Sequence, residues 1–205
     1  MFEVLYHYLP KVQRSNILSR LGLEQNGYYV VSCHREENVD SPRHFLGLVE
    51  MLNGLSKAFG KRIIVTTHPR TRKRMEDMGI GDVDKRIHFM KPLGFFDYVK
   101  LQLNARCTVS DSGTITEESS ILSFPAVTIR NAHERPEGMD VGTLIMCGLK
   151  RDRVIEAIEV VVSHYSMGGR PFSIIPDYDV DNVSKKVLRI ILSYTDYVNR
   201  TVWKK

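Results

Sequence analysis

The sequence predicts an α/β fold built on a doubly wound, Rossmann-like parallel sheet, and two observations carry that expectation. Short β-branched runs alternate with stretches of helical spacing along most of the 205 residues, the pattern of repeated βα units. The runs are also apolar on both faces rather than alternating, as strands covered by helices on either side must be.

Six runs are expected as strands: Tyr28–Cys33, Arg62–Thr67, Ile87–Met90, Cys107–Ser110, Ala126–Ile129 and Thr143–Met146. Helices are expected at Pro42–Phe59, Phe96–Leu103, Ile115–Ser123 and Arg153–Ser163. In the first of these, Phe45, Leu46, Leu48, Val49, Leu52 and Leu55 share one broad face. Residues 1–24 read as a helical lead-in with Ile17, Leu18 and Leu21 as apolar points, and 25–165 as the α/β core. Residues 170–181, with their prolines and aspartates, read as extended. A last helix is expected from Asn182 to Tyr197, its apolar residues packing away from the sheet, before a tail ending in Trp203-Lys204-Lys205. Ordinary packing is the expected role of Trp203, with anchoring against a partner lobe or subunit as the alternative.

Composition narrows the function classes. Hydrophobic residues at 42% and charged residues at 26% fit a globular domain. No apolar run is long enough to span a bilayer, and the first residues lack the pattern of a secretory signal, so a cytoplasmic location is expected. Cys33, Cys107 and Cys147 are odd in number and widely spaced, which argues against a disulfide framework or a zinc site. A net charge of +5 suits an anionic ligand but is too small to imply nucleic acid. The basic run Arg70, Arg72, Lys73, Arg74 reads first as a solvated helix face.

Polar motifs collect at the predicted strand ends, where open parallel sheets bind ligands. Cys33-His34-Arg35-Glu36-Glu37-Asn38 follows the first strand. Arg35 can fork onto phosphate and His34 can donate a proton or a hydrogen bond, although acidic residues there also suit a plain helix N-terminus. Thr67-His68-Pro69-Arg70 follows the second. Ser110-Asp111-Ser112-Gly113-Thr114 leads from a strand through small residues into a helix, where backbone amides and the Ser112 and Thr114 hydroxyls would cradle a diphosphate. Glu118 lies about a turn further on, within reach of ribose hydroxyls; capping alone would also explain the serine and threonine. The loop from Arg130 to Gly138 holds two arginines, a histidine and two glutamates, more than a connection needs, with a surface ion-pair cluster as the competing view.

In this order, His34-Arg35-x-Glu37-Asn38, His68-Pro69-Arg70, Asp111-Ser112-Gly113 with Glu117-Glu118, and Glu134-Arg135-Pro136-Glu137 with Gly142-Thr143 resemble the second half of the non-hydrolysing UDP-N-acetylglucosamine 2-epimerase family. The ordered motifs cover about residues 25–165. Several segments, among them HREENVD and RNAHERPEGMD, are most similar to the capsule and O-antigen branch that forms UDP-N-acetyl-L-fucosamine.

The resemblance implies one lobe of a two-lobed, GT-B-like fold, a homodimer in the full-length protein, and UDP-sugar chemistry needing neither metal nor redox cofactor. It implies His34 as the active-site histidine beside the diphosphate. It implies UDP contacts from Arg35, His68, Ser112, Gly113, Thr114, Glu118 and Arg135, with uracil near Gly94–Phe96. Thr114 stands where the family more commonly has glycine. The carboxylates that handle the C2 proton belong to an N-terminal lobe with no counterpart here. A GT-B glycosyltransferase lobe, a non-catalytic UDP-sugar-binding module and a basic nucleic-acid-binding domain are the rival readings; neither a membrane nor a nucleic-acid partner is expected. The purified 205-residue chain is expected to show no epimerisation in a coupled assay, and measurable turnover would refute that expectation.

Overall fold

The computed structural model describes residues 1–35, 41–67, 74, 78, 83–132 and 135–205. Six strands form one sheet: β1 (Tyr28–Ser32), β2 (Arg62–Thr66), β3 (Ile87–Met90), β4 (Thr108–Ser110), β5 (Ala126–Thr128) and β6 (Ile145–Met146). Their spatial order is β3-β2-β1-β4-β5-β6, and every pairing is parallel. The direction of winding reverses between β1 and β4, so the crevice of a doubly wound sheet opens at their carboxyl ends. Each predicted strand is present, most of them a residue or two shorter.

The helices are α1 (Phe2–Gln13), α2 (Ile17–Leu21), α3 (Pro42–Phe59), α4 (Phe95–Asn104), α5 (Thr114–Leu122), α6 (Glu137–Asp140), α7 (Arg151–Ser166) and α8 (Val183–Thr201). The ends of α3 follow from local chemistry. Ser41 accepts a hydrogen bond from the His44 amide, Pro42 occupies the first turn, and Gly60 adopts φ +62° just past the last turn.

Strand alternation sorts the core into two layers. Tyr29, Val31, Ile63, Val65, Val109 and Val127 face α3 and α7, meeting Phe45, Leu52, Val154 and Ile158. Tyr28, Val30 and Ile64 face the opposite side, against Ile17, Leu23 and Leu101. There α1 supplies Leu5 and Val12 against Val99 of α4 and Ile121 of α5. The segment before α8 is strapped across α5: Arg170 donates to the Ser120 and Ile121 carbonyls at 2.8 and 2.7 Å, and the Ile175 amide donates to Ser120 Oγ at 3.0 Å.

The final helix runs four residues beyond the expected end and, within this chain, buries no residue. Val187, Leu188, Ile191, Leu192, Tyr194 and Tyr197 all remain more than 45% exposed. Trp203 is 64% exposed, so within this chain the expectation of ordinary packing fails. Cys33 and Cys107 are buried and Cys147 half-buried, all as free thiols; burial pushes the Cys147 thiol up to about 12, the behaviour of a small apolar side chain rather than a nucleophile. Among the described residues no helix is long and apolar enough to cross a membrane.

Candidate functional site

The site begins at Asp111. Its side chain is fully buried directly after β4, beside the end of β1, and a buried carboxylate must find donors. It finds them in the segment after β1. The His34 amide lies 3.2 and 3.1 Å from its two oxygens, the Arg35 amide 3.0 Å from Oδ2, and Cys33 Sγ 3.2 Å from Oδ2. His34 Nδ1 stands 3.3 Å from Oδ1. Arg35 completes the clamp by donating from Nε to the Asp111 carbonyl at 3.0 Å. The carboxylate therefore fixes the course of the chain after β1 and orients the His34 ring, whose side chain stays about half exposed. With Nδ1 aimed at Asp111, Nε2 is the ring nitrogen left for a ligand.

On the other side of Asp111 the chain turns into α5. Ser110 Oγ accepts from the Ser112 amide at 3.0 Å, and the Ser112 and Thr114 hydroxyls lie 3.0 Å apart. Gly113 precedes the first turn without a side-chain cap, which leaves backbone donors at a helix N-terminus for an anion. Thr114 fits this turn as a hydroxyl-bearing member, so its place where glycine is commoner adds a donor without blocking the helix.

Glu118 is buried beneath the turn and accepts from Gln102 Nε2 at 2.7 Å. Burial holds its carboxyl above the usual range, opposed by hydrogen bonds from Gln102 and Thr114. Tyr98 on α4 belongs to the same polar floor: its phenol is pushed up by burial, while a hydrogen bond with Ser32 pulls the other way.

The loop after β5 arrives from the β6 side. Arg135 pairs with Glu117 at 2.8 Å, and Tyr178 of the strap donates to Glu137. Gly138 lets α6 press on α5; a Cβ there would come 2.2 Å from Thr116 Cγ2. A small cavity under the α5 turn is lined by Ser112, Gly113, Thr116, Thr128, Arg130 and Arg135, among others.

The structure thus brings His34, Arg35, Ser112, Gly113, Thr114, Glu118 and Arg135 to one edge of the sheet. His68 lies outside the described residues, as do Glu36–Asp40, His133, Glu134 and the basic run apart from Arg74. Gly94–Phe96 is the start of α4 rather than a loop, with Phe95 and Phe96 partly exposed beside Tyr8. Among the described residues no three His, Cys, Asp or Glu side chains converge as a metal set. Sequence reasoning gave no individual role to Asp111, Tyr98 or Arg130. For Asp111 the signal was available: a carboxylate at a buried strand end, beside a turn built to face anions.

Sheet order, parallel pairing and a helix N-terminus at the switch point place the chain in the class of Rossmann-like α/β domains. Comparison with known proteins gives the family. The model for UDP-N-acetylglucosamine 2-epimerase matches residues 1–192. A solved UDP-N-acetylglucosamine 2-epimerase from Rickettsia bellii is 49% identical, with a TM-score of 0.84 over 99% of this chain and 54% of that one. The Methanocaldococcus jannaschii enzyme, solved in complex with UDP-GlcNAc and UDP, is 26% identical with a TM-score of 0.81 over 94% of this chain and 52% of its own. The curated enzyme of that organism is 33% identical over 148 residues, 71% of this chain and 40% of its length. The chain belongs to the UDP-N-acetylglucosamine 2-epimerase family, and it spans about half the length of the relatives it matches.

Two outcomes test this geometry. Asp111→Asn, which sets an amide group against donors from three residues, is expected to cost about 2–3 kcal/mol in urea unfolding, with faster amide exchange at His34 and Arg35; an unmoved midpoint would refute the clamp. Because the folded protein raises the Glu118 pKa, the protonated form is favoured by folding. Stability linked to this group is therefore full below the ordinary carboxylate pKa and is lost as pH rises through the raised one. Glu118→Gln should accordingly be more stable than the parent at pH 8, the gap closing as pH falls to about 4. A gap of constant size across that range would contradict it.

Proposed function

We propose that this chain is the nucleotide-binding lobe of a two-lobed UDP-N-acetylhexosamine 2-epimerase. The observation that carries the reading is the junction at the switch point, where Asp111 clamps the His34-Arg35 segment against the Ser112–Thr114 turn. That arrangement gathers amides, hydroxyls, two cationic side chains and an oriented imidazole where a diphosphate would lie.

The chemistry proposed is elimination and re-addition. A base removes the C2 proton while the C1–O bond to UDP breaks, giving a glycal with a C1=C2 double bond, a protonated base and free UDP. An acid then delivers a proton to the opposite face of C2 as the UDP β-phosphate oxygen adds back to C1. The barrier to such a step falls when donors are already in place around the departing diphosphate. In this chain the α5 amides, Ser112 and Thr114 would hold the phosphates, His34 Nε2 would face the charge that develops as UDP leaves, and Arg35 and Arg135 would offer guanidinium donors. Glu118, at the first turn's base, would accept from ribose hydroxyls, and His68 would stand beside the uridine. The remaining half of the protein would supply the C2 acid and base, receive the exposed apolar residues of α8, and form the homodimer.

The sugar is proposed as an N-acetylated hexosamine of the gluco/manno type or, from the branch resemblance, UDP-N-acetyl-L-talosamine converted to UDP-N-acetyl-L-fucosamine, for bacterial polysaccharide precursors. Calorimetric titration with UDP, with AMP as control, tests the nucleotide site. UDP-selective binding, weakened at least about tenfold in Glu118→Ala, is the expected result. A well-folded chain that ignores UDP would overturn the site.

A further inference from the structure

Gln102 stands where an apolar residue would pack at lower cost. On α4 it lies between Leu101 and Leu103, and the helix buries it as fully as Val99 and Leu101. At 1% exposure its carboxamide is sealed from solvent, and a buried amide costs stability unless its polar atoms are answered. They are answered on one side. Nε2 donates to Glu118 Oε2 at 2.7 Å, while Oε1 has no hydrogen-bond partner among the described residues. A helix that keeps an open acceptor in its buried face for the sake of one bond to a carboxylate marks that bond as the reason for the residue.

Glu118 depends on that bond more than a surface carboxylate would. It is itself buried, and Glu117, one residue before it on α5, adds a like charge. From α4, Tyr98 feels the charges of Glu118 and of Asp111, but its phenol bonds with Ser32. Gln102 from α4 and Thr114 from α5 are the donors. None of these groups is a cation. Burial and the neighbouring charge therefore favour the neutral acid, and only neutral donors oppose them. Of the two donors, the Thr114 hydroxyl also lies 3.0 Å from Ser112 Oγ in the turn proposed to meet the diphosphate, so a ligand can draw it away. The Gln102 amide, out of reach of solvent, stays with the carboxylate.

Resting on the reading of Glu118 as the ribose acceptor, we propose that Gln102 is a positioning residue whose amide holds Glu118 ionised and in place, so that the site favours a ribonucleotide over its 2′-deoxy counterpart. An ionised carboxylate only accepts, and its lone pairs match a neighbouring pair of hydroxyls; the neutral acid turns one oxygen into a donor and loses that match. Gln102 touches no ligand itself and acts wholly through Glu118.

Calorimetric titration of the 205-residue chain with UDP and with 2′-deoxy-UDP reads this as a ratio of affinities, in which the titration of the phosphates, common to both ligands, cancels. The parent is expected to favour UDP by about tenfold. In Gln102→Met, which fills similar space without a donor, the ratio should fall to about one near neutral pH and return as pH rises toward about 9, where the carboxyl ionises unaided. Placed in a Glu118→Gln background, the same substitution should leave the ratio where that background sets it, and a further fall there overturns the proposal. A parental ratio in Gln102→Met, equal weakening of both ligands included, also overturns it, as does a loss that no rise in pH restores. Should that variant not fold, Gln102→Asn decides, its amide drawn back by one methylene: a lowered ratio supports the proposal and a parental one overturns it. A parent that binds both nucleotides equally, or neither, removes the underlying reading of the site, a result distinct from a parent that discriminates and variants that do not differ.

Discussion

One buried carboxylate organises the candidate site. Asp111 sits fully buried where β1 and β4 meet, at the point where the winding of the sheet reverses. It accepts from main-chain and side-chain groups of Cys33, His34 and Arg35. Two loops that leave neighbouring strands are thereby tied into a single rigid edge. The orientation of His34 and the placing of Arg35 are consequences of that satisfaction rather than independent features. The same residue is followed at once by the Ser-Gly-Thr turn, so the carboxylate also sets the approach of α5.

The remainder of the fold serves this edge. Helices α3 and α7 on one face and α2 and α4 on the other hold the strands chiefly by apolar contact, with Tyr28 donating to the Leu101 carbonyl and Arg62 to the carbonyls at the end of α2, and a parallel sheet with both faces covered leaves only its carboxyl end for chemistry. The strap from Arg170 to Ile175 locks α5 from outside by bonds to Ser120 and Ile121. Gly138 allows α6 to close against the helix start without a collision. Precision at the turn thus comes from three directions, each using a residue type that the packing requires.

The polar groups under the turn run against stability. Glu118 is held above its normal range by burial, and among the described residues the buried Thr128 hydroxyl has no hydrogen-bond partner. A domain selected for folding alone would replace such groups with apolar ones. Their placing on either side of α5, at the carboxyl end of the sheet, is a physical argument for a ligand that does not depend on resemblance. The exposed apolar side of α8 is the second departure from a self-sufficient domain, and it lies away from the sheet.

Much of this was legible in the amino-acid sequence. Apolar runs and helical periodicity depend on neighbours along the chain, so the six strands, the bounds of α3 and the β/α alternation could be read directly, and charged motifs at strand ends marked the edge that matters. Strand order was not legible, because pairing is decided by contacts between distant segments. For the same reason Asp111 looked like one member of a motif, and only the junction of β1 with β4 made it the acceptor for three residues some 76–78 positions away. Tyr98 and Arg130 were hidden likewise: a tyrosine on a helix and an arginine in a polar loop gain meaning only from burial. The exposure of Trp203 reverses an expectation that rested on its apolar character alone. Composition and periodicity are local properties and fixed the elements; burial and the satisfaction of buried polar groups are properties of the assembled chain, and they alone decided which residues form the site.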